Sequence, residues 1–129
     1  MTVAGQLNIH SYKNTHSLEV QTVPLFARHE LRAQLVVVPP GGSIAPHRHD
    51  HADALFDVIE GTGAFGVGER RFDGGPGKCI FVPAGTDHSL HNYSDAAWVL
   101  RVTHHEEVTP RHVGRILLRA LRRRLRLPD

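Results

Sequence analysis

Short apolar stretches alternate with turn residues along most of the chain. The clearest run over 18–23, 31–38, 54–59, 64–67, 78–82 and 97–102, and several are rich in Val, Ile, Leu and Phe. Between them stand Pro39-Pro40-Gly41-Gly42, Gly61-Thr62-Gly63, Gly74-Gly75-Pro76-Gly77 and Pro83-Ala84-Gly85. Apolar runs of this length, punctuated by Gly and Pro, predict the strands of an all-β sandwich or barrel. Gly66 and Gly68 predict a bend or tight hairpin toward Glu69.

The pattern changes near residue 109. Thr109 and Pro110 read as a helix cap and first helical position. Val113, Ile116, Leu117, Ala120, Leu121 and Leu125 follow at helical spacing, and Arg111, Arg115, Arg119, Arg122 and Arg126 fill much of the rest. Pro128 ends the pattern. The expectation is one β-barrel domain over 1–108, its motif core at 30–104, followed by an amphipathic Arg-rich helix over 109–129.

Composition sharpens this picture. With 129 residues, 40% hydrophobic and 22% charged, the chain is long enough for one core and too apolar for a disordered chain. No apolar run approaches the ~20 residues of a membrane helix. The opening MTVAGQLNIH shows neither a basic stretch nor an apolar run, so no secretory leader is expected. The lone Cys79 excludes an intramolecular disulfide, and a cytoplasmic location is the default. Residues 110–129 hold seven arginines and one acid, whereas the rest of the chain is mildly acidic. That is not the profile of a wholly basic nucleic-acid-binding domain.

Eleven histidines are the chemical signal. In 41–63, GGSIAPHRHDHADALFDVIEGTG, His47, His49 and His51 alternate with other residues, so an extended segment places them on one face. Neutral imidazole is the commonest metal ligand, and imidazoles sharing a face can converge on an ion. In 77–92, GKCIFVPAGTDHSLHN, a strand runs into a turn at Pro83 and Gly85, and His88 follows. Each piece alone is also compatible with ordinary loop histidines; together they are far more specific.

The pair Gly41, His47, His49, Gly61 and Gly77, Pro83, Gly85, His88, Asn92 resembles the two signature motifs of the cupin superfamily. The resemblance covers about residues 30–104. It implies a double-stranded antiparallel β-barrel of jelly-roll type, with a metal held inside by His47, His49 and His88. One position departs. Where the family usually carries a glutamate ligand, seven residues before the closing glycine, this chain has Ala54. Three first coordination shells stay open: three histidines with free positions, four histidines including His51, or three histidines plus Asp53. Asp53 neighbours Ala54, and adjacent strand residues face opposite ways, so its ligation requires a shift of register. An imidazole-rich site suits a divalent transition metal such as zinc, iron, nickel, manganese or copper better than magnesium or calcium.

Other residues have candidate roles. His91, three after His88, is expected at the mouth of the site as a general acid/base, with a solvent-facing loop residue as the plainer reading. Asn92 is expected to secure a turn. Phe56 and Val58 share the parity of Ala54 and should line the interior as core or pocket wall. Phe81 and Trp98 read as core, and Cys79 as a small hydrophobe in a buried strand. His104-His105, followed by Glu106-Glu107, reads as a solvated barrel exit without ligand-spacing logic.

Two functions follow as expectations. One is a metal-dependent enzyme acting on a small oxygen-rich substrate, dioxygenase-like or similar to cupin-type polyketide cyclases and isomerases. The other is a non-catalytic small-molecule sensor built on the same barrel. A homodimer is expected, with the apolar stripe of the C-terminal helix buried at the interface or on its own barrel. Nucleic acid and membrane are not indicated as partners by the body of the chain, though the basic helix offers a surface for anionic lipid, nucleic acid or an acidic partner.

Overall fold

A computed structural model describes residues 5–106 of the chain. The expected helix at 109–129 lies outside the described residues, as do the first four. Among the described residues no helix is long and apolar enough to cross a membrane.

A 3₁₀ turn at Ile9–Ser11 precedes nine strands. They are β1 (Gln21–Arg28), β2 (Leu31–Val38), β3 (Ser43–His47), β4 (Ala52–Glu60), β5 (Ala64–Val67), β6 (Arg70–Asp73), β7 (Cys79–Val82), β8 (His88–His91) and β9 (Trp98–Glu106). One sheet has the order β1-β2-β9-β4-β7 and the other β3-β8-β5-β6. Each pairing is antiparallel. The result is a jelly-roll barrel, as the motif resemblance implies.

Strand parity divides the chemistry. Val36 and Val38 of β2, Phe56 and Val58 of β4, Phe65 of β5, Ile80 and Val82 of β7, and Leu90 of β8 form one buried cluster with Trp98, Leu100 and Val102 of β9. Their alternating partners Leu35, Val37 and Val99 form a second cluster, closed by Ile9, Val23, Leu25 and Ile59. Thus the second half of β2, from Leu35 to Val38, and the start of β9, from Trp98 to Leu100, are apolar on both faces, which is what a doubly covered segment requires. Trp98 is fully buried, and its indole N–H donates to the Gly74 carbonyl oxygen at 2.8 Å. Its ring needs the glycines around it: a Cβ at Gly63 would sit 2.3 Å from the indole.

The structure moves some expected boundaries. The first strand begins at Gln21 and runs through Pro24 to Arg28, beyond the expected end at residue 23. Proline is tolerated because β1 is an edge strand, and the ladder to β2 shifts register between Pro24 and Phe26. Strands β3, β6 and β8 are short and rich in polar residues, so the apolar pattern does not announce them. Phe81 and Cys79 are corrected. Both lie on the outer face of β7 and are exposed, Phe81 by 58%, because the inner positions of that strand belong to Ile80 and Val82.

Candidate metal centre

Two loops build the site. In the first, β3 ends at His47 and the chain continues through His49 into β4. In the second, the turn after β7 delivers His88 at the start of β8. Backbone contacts hold the loops together. The Gly85 N–H donates to the His49 carbonyl oxygen at 2.9 Å, and the Ala84 N–H donates to Asp53 Oδ1 at 2.8 Å. Gly85 has φ of 79°, a left-handed conformation that glycine adopts without strain. His47 and His88 are then direct partners across the β3–β8 ladder.

The three imidazoles converge. One ring nitrogen of each of His47, His49 and His88 lies within 4.8 Å of the others. Ring centroids are 4.2 Å apart for His47 and His88, 5.3 Å for His47 and His49, and 5.7 Å for His49 and His88. Imidazoles bound to one transition ion at ordinary bond lengths have centroids about 5 Å apart. The hydrogen bonds point the same way. Nδ1 of His47 faces the Ala45 carbonyl oxygen at 2.9 Å, and Nδ1 of His88 faces the Thr86 carbonyl oxygen at 3.2 Å. A carbonyl can only accept, so each Nδ1 carries the proton and each Nε2 presents a lone pair. Nε2 of His88 is buried without a hydrogen-bond partner among the described residues. A buried lone pair with no donor, flanked by two more imidazoles, fits a metal ion.

Electrostatics favour the neutral, ligating form. Burial pushes the pKa of His88 down, and His47 and His49 add to the effect against the Thr86 hydrogen bond. Burial likewise lowers His49, followed by His47 and by the charge of Arg32. Below the cluster, the Phe65 ring lies parallel to His88 with centroids 6.4 Å apart, and Phe56 packs 4.7 Å from Phe65 and 5.8 Å from His88. These aromatics make a dry floor. Val58, 4% exposed, lies in the same core cluster, further along β4.

The remaining candidates separate. Ala54 is buried on the inner face of β4, and the strand turns Asp53 away from it, onto the Ala84 N–H. Neither Asp53 nor His51 belongs to the converging group. His91 is on the face of β8 opposite His88; its Nδ1 contacts the Ser43 hydroxyl, and its ring lies 3.9 Å from that of Tyr93. His91 is thus the half-buried last residue of β8, and the alternation of that strand is what turns it away from His88. Asn92 is fully buried and does secure a turn: it donates to the carbonyl oxygens of Val38 and Ala96 and accepts from the Ser94 N–H and hydroxyl.

One residue near the site escapes the sequence motifs. His104, expected at a solvated exit, is only 3% exposed. Its ring centroid is 5.3 Å from that of His49, and its Nδ1 is buried with no hydrogen-bond partner among the described residues. Burial, then Arg32, His49 and His88, push its pKa down to about 4, against a smaller opposing effect of Glu106. Arg32, directly opposite His104 in the β2–β9 ladder and exposed, escapes them too. The parity of Trp98, Leu100, Val102 and His104 along β9 was the signal that could have found the buried imidazole.

The structure is similar to solved barrels. TT1209 from Thermus thermophilus superposes with a TM-score of 0.73 at 24% identity, over 78% of this chain and 96% of that one. A double-stranded β-helix domain protein from Klebsiella pneumoniae gives a TM-score of 0.73 at 16% identity, over 81% and 91% of the two chains. A cupin-superfamily protein from Silicibacter pomeroyi, described as a sugar phosphate isomerase, gives 0.66 at 19% identity, over 80% and 76%. At these identities the likeness is one of fold. By sequence, an uncharacterized protein of Methanocaldococcus jannaschii, MJ1618, is 27% identical over 56 residues, 43% of this chain and 45% of that protein. The match thus spans less than half of that relative's length. The sequence pattern of the cupin domain matches residues 34–104, more than half of the chain. With both motifs placed on a jelly-roll barrel, the chain belongs to the cupin family.

Proposed function

We propose that this cupin binds a divalent transition metal through His47, His49 and His88 and uses it as an enzyme on a small, oxygen-rich substrate. The reaction is dioxygenase-like, or a cyclisation or isomerisation. The observation that carries this reading is the convergence of three imidazoles around the buried Nε2 of His88, which has no hydrogen-bond partner among the described residues. When bound, a metal with open positions supplies Lewis acidity to oxygen ligands, and iron adds dioxygen chemistry.

The chain's own residues supply the rest. Phe56 and Phe65 exclude water beneath His88, which strengthens each electrostatic contact above them. Arg32 places a positive charge close enough to act on both His49 and His104, which supports an anionic substrate such as an enolate, phenolate or hydroxy acid. Cytoplasmic location and a homodimer belong to the same reading; the exposed Leu55 and Phe81 on the outer face of the five-stranded sheet support self-association.

The experiment is metal analysis of the purified chain, followed by oxygen uptake and product analysis with diketones, phenols and hydroxy acids. Near-stoichiometric metal with turnover of one class supports the proposal. Metal with saturable binding but no turnover makes the barrel a sensor, and a chain that holds no metal overturns the reading.

A further inference from the structure

We infer that His104 is a fourth ligand of the histidine centre, reaching it from β9 across Ala54. The inference rests on the metal-binding reading above and adds to it a residue outside both sequence motifs.

Four observations lead there. Ala54 and His104 are direct partners across the β4–β9 ladder, and both are buried on the inner face. Ala54 ends at its methyl group, so β4 itself offers no ligating atom at this inner position. The His104 ring lies close to the cluster. Its centroid is 5.3 Å from that of His49, the same spacing that separates His47 from His49. Finally, Nδ1 of His104 is buried and partnerless among the described residues, as is Nε2 of His88. Among the described residues these are the buried side-chain polar atoms without partners, and they belong to two imidazoles that both pack around His49.

A plain core histidine is the competing account. Such a residue normally places at least one ring nitrogen on a carbonyl or hydroxyl, because a buried polar atom without a partner loses its hydration for nothing. His47 and His88 do this with Ala45 and Thr86, whereas the described residues provide no such carbonyl for Nδ1 of His104. A ligand role explains why an imidazole rather than Leu or Val occupies that position. His104 is outside the group whose nitrogens already lie within 4.8 Å of one another. Coordination therefore involves a turn of its ring over the short Ala54 side chain toward the other three.

The test uses the full chain with Cu(II) and Zn(II) as probes. Cu(II) favours tetragonal nitrogen ligation, and electron paramagnetic resonance counts the imidazoles bound to it. Wild type should show four, His51→Ala should still show four, and His104→Leu should show three. The Zn(II) dissociation constant should rise at least tenfold in His104→Leu. The melting profile of the metal-free His104→Leu protein verifies its fold; if that variant does not fold, the nitrogen count of wild type beside that of His51→Ala decides alone. Three nitrogens in wild type, a fourth that disappears with His51→Ala, or unchanged count and affinity in a folded His104→Leu would each overturn the inference while leaving the three-histidine centre standing. Absence of any bound metal in wild type would remove both.

Discussion

The Asp53 carboxylate accepts the backbone N–H of Ala84 at 2.8 Å, tying the start of β4 to the turn that precedes His88. Next to it, the Gly85 N–H binds the His49 carbonyl oxygen. The acid beside Ala54 thus acts on loop geometry. Asp53→Ala should cost on the order of 1–2 kcal/mol of stability, as a charge-assisted hydrogen bond is lost near the surface. Metal affinity should also weaken, because His49 and His88 lose a brace. Asp53→Asn, which keeps an acceptor oxygen, should recover much of both. Thermal melts and Zn(II) titrations of the two variants check this; equal losses in Asp53→Asn and Asp53→Ala would tell against a neutral acceptor being enough.

Single His47→Ala, His49→Ala and His88→Ala changes should each lower Zn(II) affinity by at least the roughly 10- to 100-fold typical of losing a supporting partner of a ligand. His91→Ala should leave binding unchanged, because that side chain faces away from the cluster. Equilibrium dialysis of the four variants distinguishes the groups.

The metal-free protein should lose stability in mild acid. Burial and the positive charge of Arg32, with His49 and His88 nearby and Glu106 opposing, hold the folded pKa of His104 at about 4. The unfolded chain therefore binds more protons between its ordinary pKa of 6.5 and that value. Stability is full above about 6.5, declines as pH falls, and the loss is complete below about 4. His49 and His88, also lowered by burial, act in the same direction. For His104 the effect is on the order of 1–3 kcal/mol. Denaturant titrations between pH 4 and 7 should show the slope in wild type and a shallower one in His104→Leu.

Much of this fold is legible along the chain. The doubly apolar segments and the Gly/Pro punctuation mark a β-barrel, and the two spaced motifs locate three converging histidines. What escaped did so for physical reasons. β3 and β8 carry polar and site residues in place of an apolar stripe, so periodicity is silent there. Phe81 and Cys79 belong to a short apolar run in which only alternate residues face the core. His104 is separated by many residues from both motifs and reaches Ala54 only through the pairing of β4 with β9.

Gly63→Ala should be among the more damaging single-methyl additions. Its Cβ would lie 2.3 Å from the Trp98 ring, whose indole is fixed by the Gly74 carbonyl oxygen. Overpacking of this kind costs about 1–3 kcal/mol. A melting temperature unchanged from wild type would show that Trp98 has room to move.

The histidine doublet on β9 has a consequence for how that strand finds its place. Inward positions are Trp98, Leu100, Val102 and His104; a slip of one residue would present Val99, Arg101, Thr103 and His105 instead. The last position would still offer an imidazole, so the ligand set itself scarcely senses the error. Arg101 does: it is bound to Asp57 on the outer face at 3.0 Å, and a slip would carry its guanidinium into an apolar interior. A pair that contributes little as a surface salt bridge thereby guards the alignment on which the inner chemistry depends.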